Sequence, residues 1–335
     1  MNRQDTIDIH CHAAGIGAGG SGCFVSPRLR LNWRFKVYLR AYGISEKDLQ
    51  AEGDEVVLRR ISDLLCRSVF VGSAVVLAMD GVVDGEGRLD RSRTEFYVPN
   101  QFIADTVGRY DNLLFGASIN PHRGDAIRRL EEAVRGKAVL LKWLPSIQEI
   151  DPSDARLKDF YHRMKELGLP LLTHTGTEKS FTSARDELAA PGRLRFPLEC
   201  GVTVIAAHAA AGGSEGHRNI ERLASLCGEF PNLYADISSL TQLNKLGSLG
   251  KVLSNVSFSG RLLYGTDMPL IATPAVSPLY FLPRLGLAKT IELLRIQNPW
   301  DRDVTLKKAL GATDDLFIKA QKLLFRAGGG ENDEA

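Results

Sequence analysis

Along the chain, short apolar runs alternate with longer stretches in which apolar side chains return every three or four positions. The runs fall at Thr6–His12, Ala74–Met79, Leu113–Ile119, Ala138–Leu144, Pro170–Thr175, Val202–His208, Leu233–Ile237 and Arg261–Thr266. Their length and aliphatic content predict strands. The intervening stretches have helical period. Asp125–Val134 sets Ile127, Leu130 and Val134 on one side, and Asp154–Leu167 spaces Leu157, Phe160, Tyr161 and Met164 by three or four. Asp151-Pro152-Ser153 is predicted to start that second helix and Gly168 to stop it. The runs near Ala138, Pro170 and Val202 are apolar on both faces rather than alternating. Strands buried on both sides look like this, which points to a parallel sheet covered by helices.

Eight such strands with helical connectors predict an α/β fold, a (β/α)8 TIM barrel, as one domain over residues 1–327. The first connection, Ala13–Gly72, is long and polar and reads as an elaborated loop with a helix over the barrel mouth. After Asp267, Pro269, Pro274, Pro278 and Pro283 break any early helix, while Val304–Arg326 returns to helical period, giving extra C-terminal helices. Residues 328–335 read as a frayed tail. The competing architecture, an open doubly wound sheet, wants a G-x-G-x-x-G turn after the first strand. Gly15, Gly17, Gly19 and Gly20 do not form one.

Composition narrows the functional class. The 335 residues carry 42 basic and 40 acidic side chains, a net charge of +2, so there is no nucleic-acid footprint. No apolar run approaches the ~20 residues of a membrane span, and Met1–Thr6 has no apolar signal core. Cys11, Cys23, Cys66, Cys200 and Cys227 are odd in number and form no C-x-x-C pair. That argues against a disulfide framework and a zinc knuckle and predicts a cytoplasmic protein. The expected partner is a small molecule, and homo-oligomerisation is left open.

The informative residues lie where predicted strands end. Strand one closes on His10-Cys11-His12, whose two imidazoles share a face while Cys11 takes the other, as an ordinary buried thiol. Strand four carries Lys142, strand five ends on His174, strand six on His208 and strand eight on Asp267. In a (β/α)8 barrel these ends converge on the face that carries the active site. Imidazoles with a carboxylate suit Zn²⁺, Mn²⁺ or Fe²⁺. A lysine or aspartate ending a buried aliphatic run is costly unless paired or metal-bound.

The segments Ile7-Asp8-Ile9-His10-Cys11-His12, Gly116-Ala117-Ser118-Ile119-Asn120-Pro121, Leu141-Lys142-Trp143-Leu144-Pro145, Leu171-Leu172-Thr173-His174-Thr175-Gly176, Ala206-Ala207-His208 and Tyr264-Gly265-Thr266-Asp267-Met268-Pro269 occur in this order. As a set they resemble the amidohydrolase superfamily, and within it the amidohydrolase-2 group of metal-dependent TIM-barrel hydrolases. The chain departs from that pattern in its arginine-rich insert after strand one and in lacking an Asn-Ala start to the final helix. The resemblance implies metal binding by His10, His12 and Asp267, with His174 as a further ligand. It implies a catalytic or second-metal role for His208. Lys142 matches the position that some members carboxylate to bridge two metals. It implies one or two divalent ions per chain, zinc first, manganese or iron as alternatives. Asp267 and His208 are then the catalytic pair, Asp267 moving a proton between water and leaving group. Lys142 must be neutral, displaced or carbamylated beside such an ion; otherwise it binds a substrate carboxylate as an ammonium.

Arg34, Trp143 and Thr175 are the substrate-binding candidates. Arg28, Arg30, Arg34 and Arg40 share the first loop and could clamp an anionic substrate, with a solvated basic helix face as the simpler reading; Trp33 and Trp143 could line a pocket, with packing as their alternative. His122, after Asn120-Pro121, could reach the mouth but reads more simply as a surface residue; His162 and His217 are assigned no chemistry. The expected activity is metal-dependent hydrolysis of a C–N or C–O bond in a small carboxylated molecule. A decarboxylase or hydratase of the same family is the first alternative, and a non-catalytic binding barrel the second.

Overall fold

The computed structural model describes residues 2–178, 180–182 and 184–325. Eight parallel strands form one sheet in chain order: β1 Ile7–His12, β2 Ser73–Leu77, β3 Leu113–Ala117, β4 Leu140–Trp143, β5 Leu171–His174, β6 Val204–Ala207, β7 Leu233–Asp236 and β8 Leu262–Leu263. Each falls within a run predicted from the apolar pattern, or within a residue of it. Just beyond β8 the chain meets β1. The Ile9 N–H donates to Tyr264 O (3.2 Å), the Asp267 N–H to His10 O (2.8 Å) and the His12 N–H to Met268 O (2.9 Å), closing the sheet into a TIM barrel.

Two apolar clusters fill it. Ile7, Ile9, Val75, Leu77, Leu140, Leu172, Ile205 and Leu263 pack inside the strands, with Ala320 and Leu324 of the last helix against them. A larger cluster lies between strands and helices and includes Cys11, Val76, Leu141, Trp143 and Phe160. In β1 the register slips between Asp8 and Cys11, where three residues of this strand face two of β2. Such a bulge switches parity. Ile7 and Ile9 therefore point inward low in the barrel, while higher up His10 and His12 do so and Cys11 turns to the shell.

The first connection contains helices Pro27–Leu31, Trp33–Ala41, Glu46–Glu52 and Glu55–Cys66. Trp33–Ala41 lies over the mouth, as predicted. Helix Ala126–Arg135 matches its predicted span. The helical stretch before β5 starts later than expected: Asp154, not Asp151-Pro152-Ser153, is its cap, accepting from the Arg156 N–H. It ends before Gly168, which sits at φ 63°. The helical stretch expected over Val304–Arg326 is two helices, Pro299–Ala309 and Asp314–Leu324. Gly311 breaks it, at a φ of 108° that favours glycine. No helix among the described residues is long and apolar enough to cross a membrane. The predicted tail, 328–335, lies outside the described residues.

Candidate metal centre

Strand ends bring the chemistry together at one mouth of the barrel. His10 Nε2, His12 Nε2 and Asp267 Oδ1 lie 3.2, 3.5 and 3.2 Å apart pairwise. An ion bound tetrahedrally with bonds of about 2.1 Å holds its donors about 3.4 Å apart, so this spacing fits. His208 Nε2 is 3.8 Å from Asp267 Oδ2, and His10, His208 and Asp267 offer ligand atoms that all lie within 4.8 Å of one another. His174 packs edge-on to His208 with ring centres 5.0 Å apart.

The surroundings turn three of the imidazoles the same way. His10 Nδ1 faces Asp236 Oδ2 at 2.8 Å, which can only accept; the proton therefore sits on Nδ1 and the Nε2 lone pair points inward. His208 Nδ1 faces the Ser238 carbonyl at 3.2 Å, with the Ser238 and Ser239 hydroxyls at 2.8 and 3.0 Å, and the same assignment follows. His174 Nδ1 faces Glu178 Oε2 at 3.5 Å, and its buried Nε2 has no partner among the described residues. Outer acceptors that fix the tautomer of inward nitrogens are the usual second layer of a metal site.

Electrostatics agree. Burial pushes the His10 imidazole down to about 4, helped by the Lys142 charge and only partly offset by Asp236 and Asp267. Burial also lowers His174 and His208. All three are neutral at pH 7, the form that binds metal. Burial would raise Asp267, but the imidazoles of His10 and His12 and the Lys245 ammonium outweigh it and hold the carboxyl well below the usual carboxylate range. Asp236 behaves likewise, its burial outweighed by His10, His208 and the Ser238 hydroxyl. The Asp267 backbone sits at φ 64° and His208 at φ 59°, left-handed conformations that non-glycine residues adopt at a cost near functional sites.

Lys142, fully buried, donates to His10 Nε2 at 2.9 Å. It thus shares the lone pair that a metal would need. Burial lowers the ammonium to about 8, offset in part by Asp236, Asp267 and Glu178, so neutralisation is cheap.

The histidines, Lys142 and Asp267 line a cavity enclosing about 1090 Å³, open mouth included. Leu29, Phe35, Leu39, Phe96, Leu144 and Phe181 share its wall. The substrate-binding candidates fall elsewhere. Trp143 is the outward neighbour of Lys142 on β4: fully buried, it stacks on Phe160 (5.9 Å) and donates from its indole to Ile119 O (2.7 Å). Period-two alternation sends it to the shell because Lys142 points inward. Arg34 lies over the Trp33 ring at 5.7 Å and does not line the cavity. Its helix turns Phe35, Tyr38 and Leu39 inward, and Arg34 stands roughly a quarter-turn away. Arg30 instead pairs with Glu46 (3.0 Å). The Thr175 hydroxyl donates to Ala207 O (2.6 Å), tying β5 to β6 off the cavity.

Sequence reading missed Asp236, although it ends a strand as the other site residues do. It also missed Glu178, Gln242 and Lys245, which stand on loops after β5 and β7 and carry no periodic signal.

Solved structures share this architecture. An uncharacterized TIM-barrel protein from Bordetella bronchiseptica superposes with a TM-score of 0.59 at 17% identity, over 97% of this chain and 99% of its own. A candidate 2-pyrone-4,6-dicarboxylic acid hydrolase from Pseudomonas putida gives 0.53 at 14% identity, over 98% and 99%. A 5-carboxyvanillate decarboxylase from Sphingomonas paucimobilis gives 0.52 at 11% identity, over 96% and 98%. A search of curated proteins finds no match. The model of the family described as amidohydrolase, type 2, matches residues 7–285, which is most of the chain. With the barrel, the strand-end histidines and Asp267 in place, the chain belongs to the amidohydrolase-2 family.

Proposed function

We propose that this protein is a metal-dependent hydrolase that cleaves a C–N or C–O bond, of amide, lactone or ester type, in a small carboxylated substrate. One observation carries the reading: His10 Nε2, His12 Nε2 and Asp267 Oδ1 lie at metal-donor spacing on the wall of a cavity. His174, its buried Nε2 without a partner among the described residues, is the further candidate donor. A divalent ion held there, zinc first, supplies an acidified water and polarises the scissile carbonyl.

The chain's own groups do the rest. Asp267 Oδ2 accepts the proton of the attacking water and returns it to the leaving group. His208, its ring fixed by Ser238 and Ser239, orients that water through Nε2. Asp236 holds His10 in its donor tautomer. Lys142 serves either as a carbamate ligand or, as an ammonium, by holding substrate carboxylate. Decarboxylation at the same centre is the second reading, favoured by the shared fold of the 5-carboxyvanillate decarboxylase.

The test is elemental analysis of purified protein followed by a panel of lactones, amides and aromatic acids. Metal-dependent cleavage with uptake of one water and no CO₂ supports hydrolysis. Release of CO₂ moves the assignment to decarboxylation. Protein that takes up no metal, or turns over equally after Asp267→Ala, overturns the enzymatic reading.

A further inference from the structure

The loop after β7 places two polar side chains in the cavity that neither the metal centre nor the fold uses up. Lys245 is 8% exposed and Gln242 is 7% exposed, and both line the cavity. Lys245 Nζ donates to Ser239 Oγ at 2.6 Å. Among the described residues it makes no other hydrogen bond, and no carboxylate lies within ion-pair distance of it. The Gln242 side-chain amide nitrogen is buried with no hydrogen-bond partner among the described residues. Asp267, Glu178 and Asp236 act on this ammonium only from beyond ion-pair distance, and a buried ammonium held by one hydrogen bond and a buried N–H₂ without an acceptor are each costly. Lining one cavity, they offer two donors to an oxyanion.

The backbone holds them in place. Gln242 bridges to Val276, the Leu243 N–H donates to Ala275 O (3.0 Å), and the Lys245 N–H donates to Gln242 O (2.9 Å). Gly212, at φ 122°, lies against the lysine stem: a Cβ there would sit 3.3 Å from Lys245 Cε. The cavity wall also carries Phe35, Leu39, Phe96, Leu144 and Phe181, with the Glu178 carboxylate on the same lining.

We propose that Lys245 and Gln242 form a carboxylate-binding subsite and that the substrate is an amphiphilic acid, its apolar body an aromatic ring or an alkyl group of like size lying against the Phe35–Leu39 wall. This rests on the hydrolase reading for its catalytic meaning, but the binding does not require metal. The subsite sets specificity: it fixes one end of the substrate so that the scissile bond meets the metal centre.

The test is calorimetric titration with benzoate, its neutral isostere benzamide, and acetate, on EDTA-stripped and on zinc-loaded full-length protein. Benzoate is expected to bind the stripped protein at least tenfold more tightly than benzamide or acetate. Lys245→Met should weaken benzoate about ten- to hundredfold and leave benzamide unchanged, Lys245→Arg should restore most of the loss, and Gln242→Leu should weaken benzoate severalfold. Phe35→Ala should weaken benzoate and benzamide alike. Thermal melts establish that each variant is folded; if Lys245→Met is not, Gln242→Leu and Lys245→Arg decide the matter. Equal binding of benzoate and benzamide, or benzoate binding lost on EDTA treatment, overturns the subsite while leaving the hydrolase reading standing. Failure of metal uptake with benzoate binding intact sinks the hydrolase reading and spares the subsite.

Discussion

Asp236→Asn changes one atom and removes one charge, and the structure shows why that should be felt at the metal centre. Asp236 Oδ2 accepts from His10 Nδ1 at 2.8 Å, while Oδ1 accepts from the backbone N–H of His208 (2.7 Å) and of Ser238 (3.0 Å). An asparagine can satisfy only one of these faces. With its oxygen on the backbone amides, its N–H₂ meets His10 and forces the imidazole proton onto Nε2, which removes the inward lone pair. Flipped, it sets a donor against two backbone donors. Loss of such an outer partner costs about 10–100-fold in metal affinity, or roughly 1.4–2.8 kcal/mol. The unmet hydrogen bonds add about 1–3 kcal/mol to the cost in stability. Zinc titration against a fluorescent chelator reads the first, and urea unfolding in EDTA reads the second. If Asp236→Asn loses stability but binds zinc within about twofold of the parent, Asp236 is a structural residue only, and the tautomer argument fails.

Other consequences follow from the same geometry. The Lys142 ammonium is lowered by burial to about 8 from an ordinary 10.5, so the fold penalises its charged form below pH 8 and the penalty fades as pH rises toward 10.5. In EDTA, Lys142→Met should therefore be more stable than the parent at pH 7 by up to about 3 kcal/mol, with the gap closing by pH 10.5; a gap independent of pH in urea melts contradicts this. Metal-free protein given ¹³C-bicarbonate at pH 8 to 9 should show a carbamate carbon signal that Lys142→Arg lacks; a spectrum unchanged by that substitution excludes the carbamate. Trp143→Ala should cost about 3–5 kcal/mol of stability by emptying a fully buried site, whereas Trp143→Phe should leave KM unchanged. Arg34→Ala should change neither KM nor kcat, since its guanidinium lies over Trp33 outside the cavity; a tenfold rise in KM would return it to the substrate site.

The strands were readable because burial on both faces leaves little room for ambiguity: β4, β5 and β6 are buried at every position, and the sequence there is almost wholly apolar. A polar residue closing such a run has few explanations, which is why His174, His208 and Lys142 stood out. Trp143 was misread for want of the same rule: one residue on from Lys142, it had to face the other way. Arg34 was misread because charge is visible in sequence while the azimuth of a short helix is not. Lys245 and Gln242 depend on a loop whose path is set by the bridge to Val276 and by the left-handed turn at Ser239. Neither tie leaves a periodic trace. The bulge in β1, which puts His10 and Ile9 on the inner side together, is likewise invisible as a pattern of residue types.

The barrel's closing hydrogen bonds are made by the backbone of the candidate donors: Asp267 N–H to His10 O and His12 N–H to Met268 O. The two ends of the sheet thus meet at the donors themselves, and an ion gripping His10, His12 and Asp267 would rivet the first strand to the last. Ligand occupancy at a hundredfold excess over Kd adds about 2.7 kcal/mol to a fold. Here it would be concentrated on the one joint that a chain made of successive strands assembles last. Stripped protein should accordingly unzip along that line, with protease cuts and amide exchange appearing first near residues 7–12 and 264–268 and not evenly around the ring.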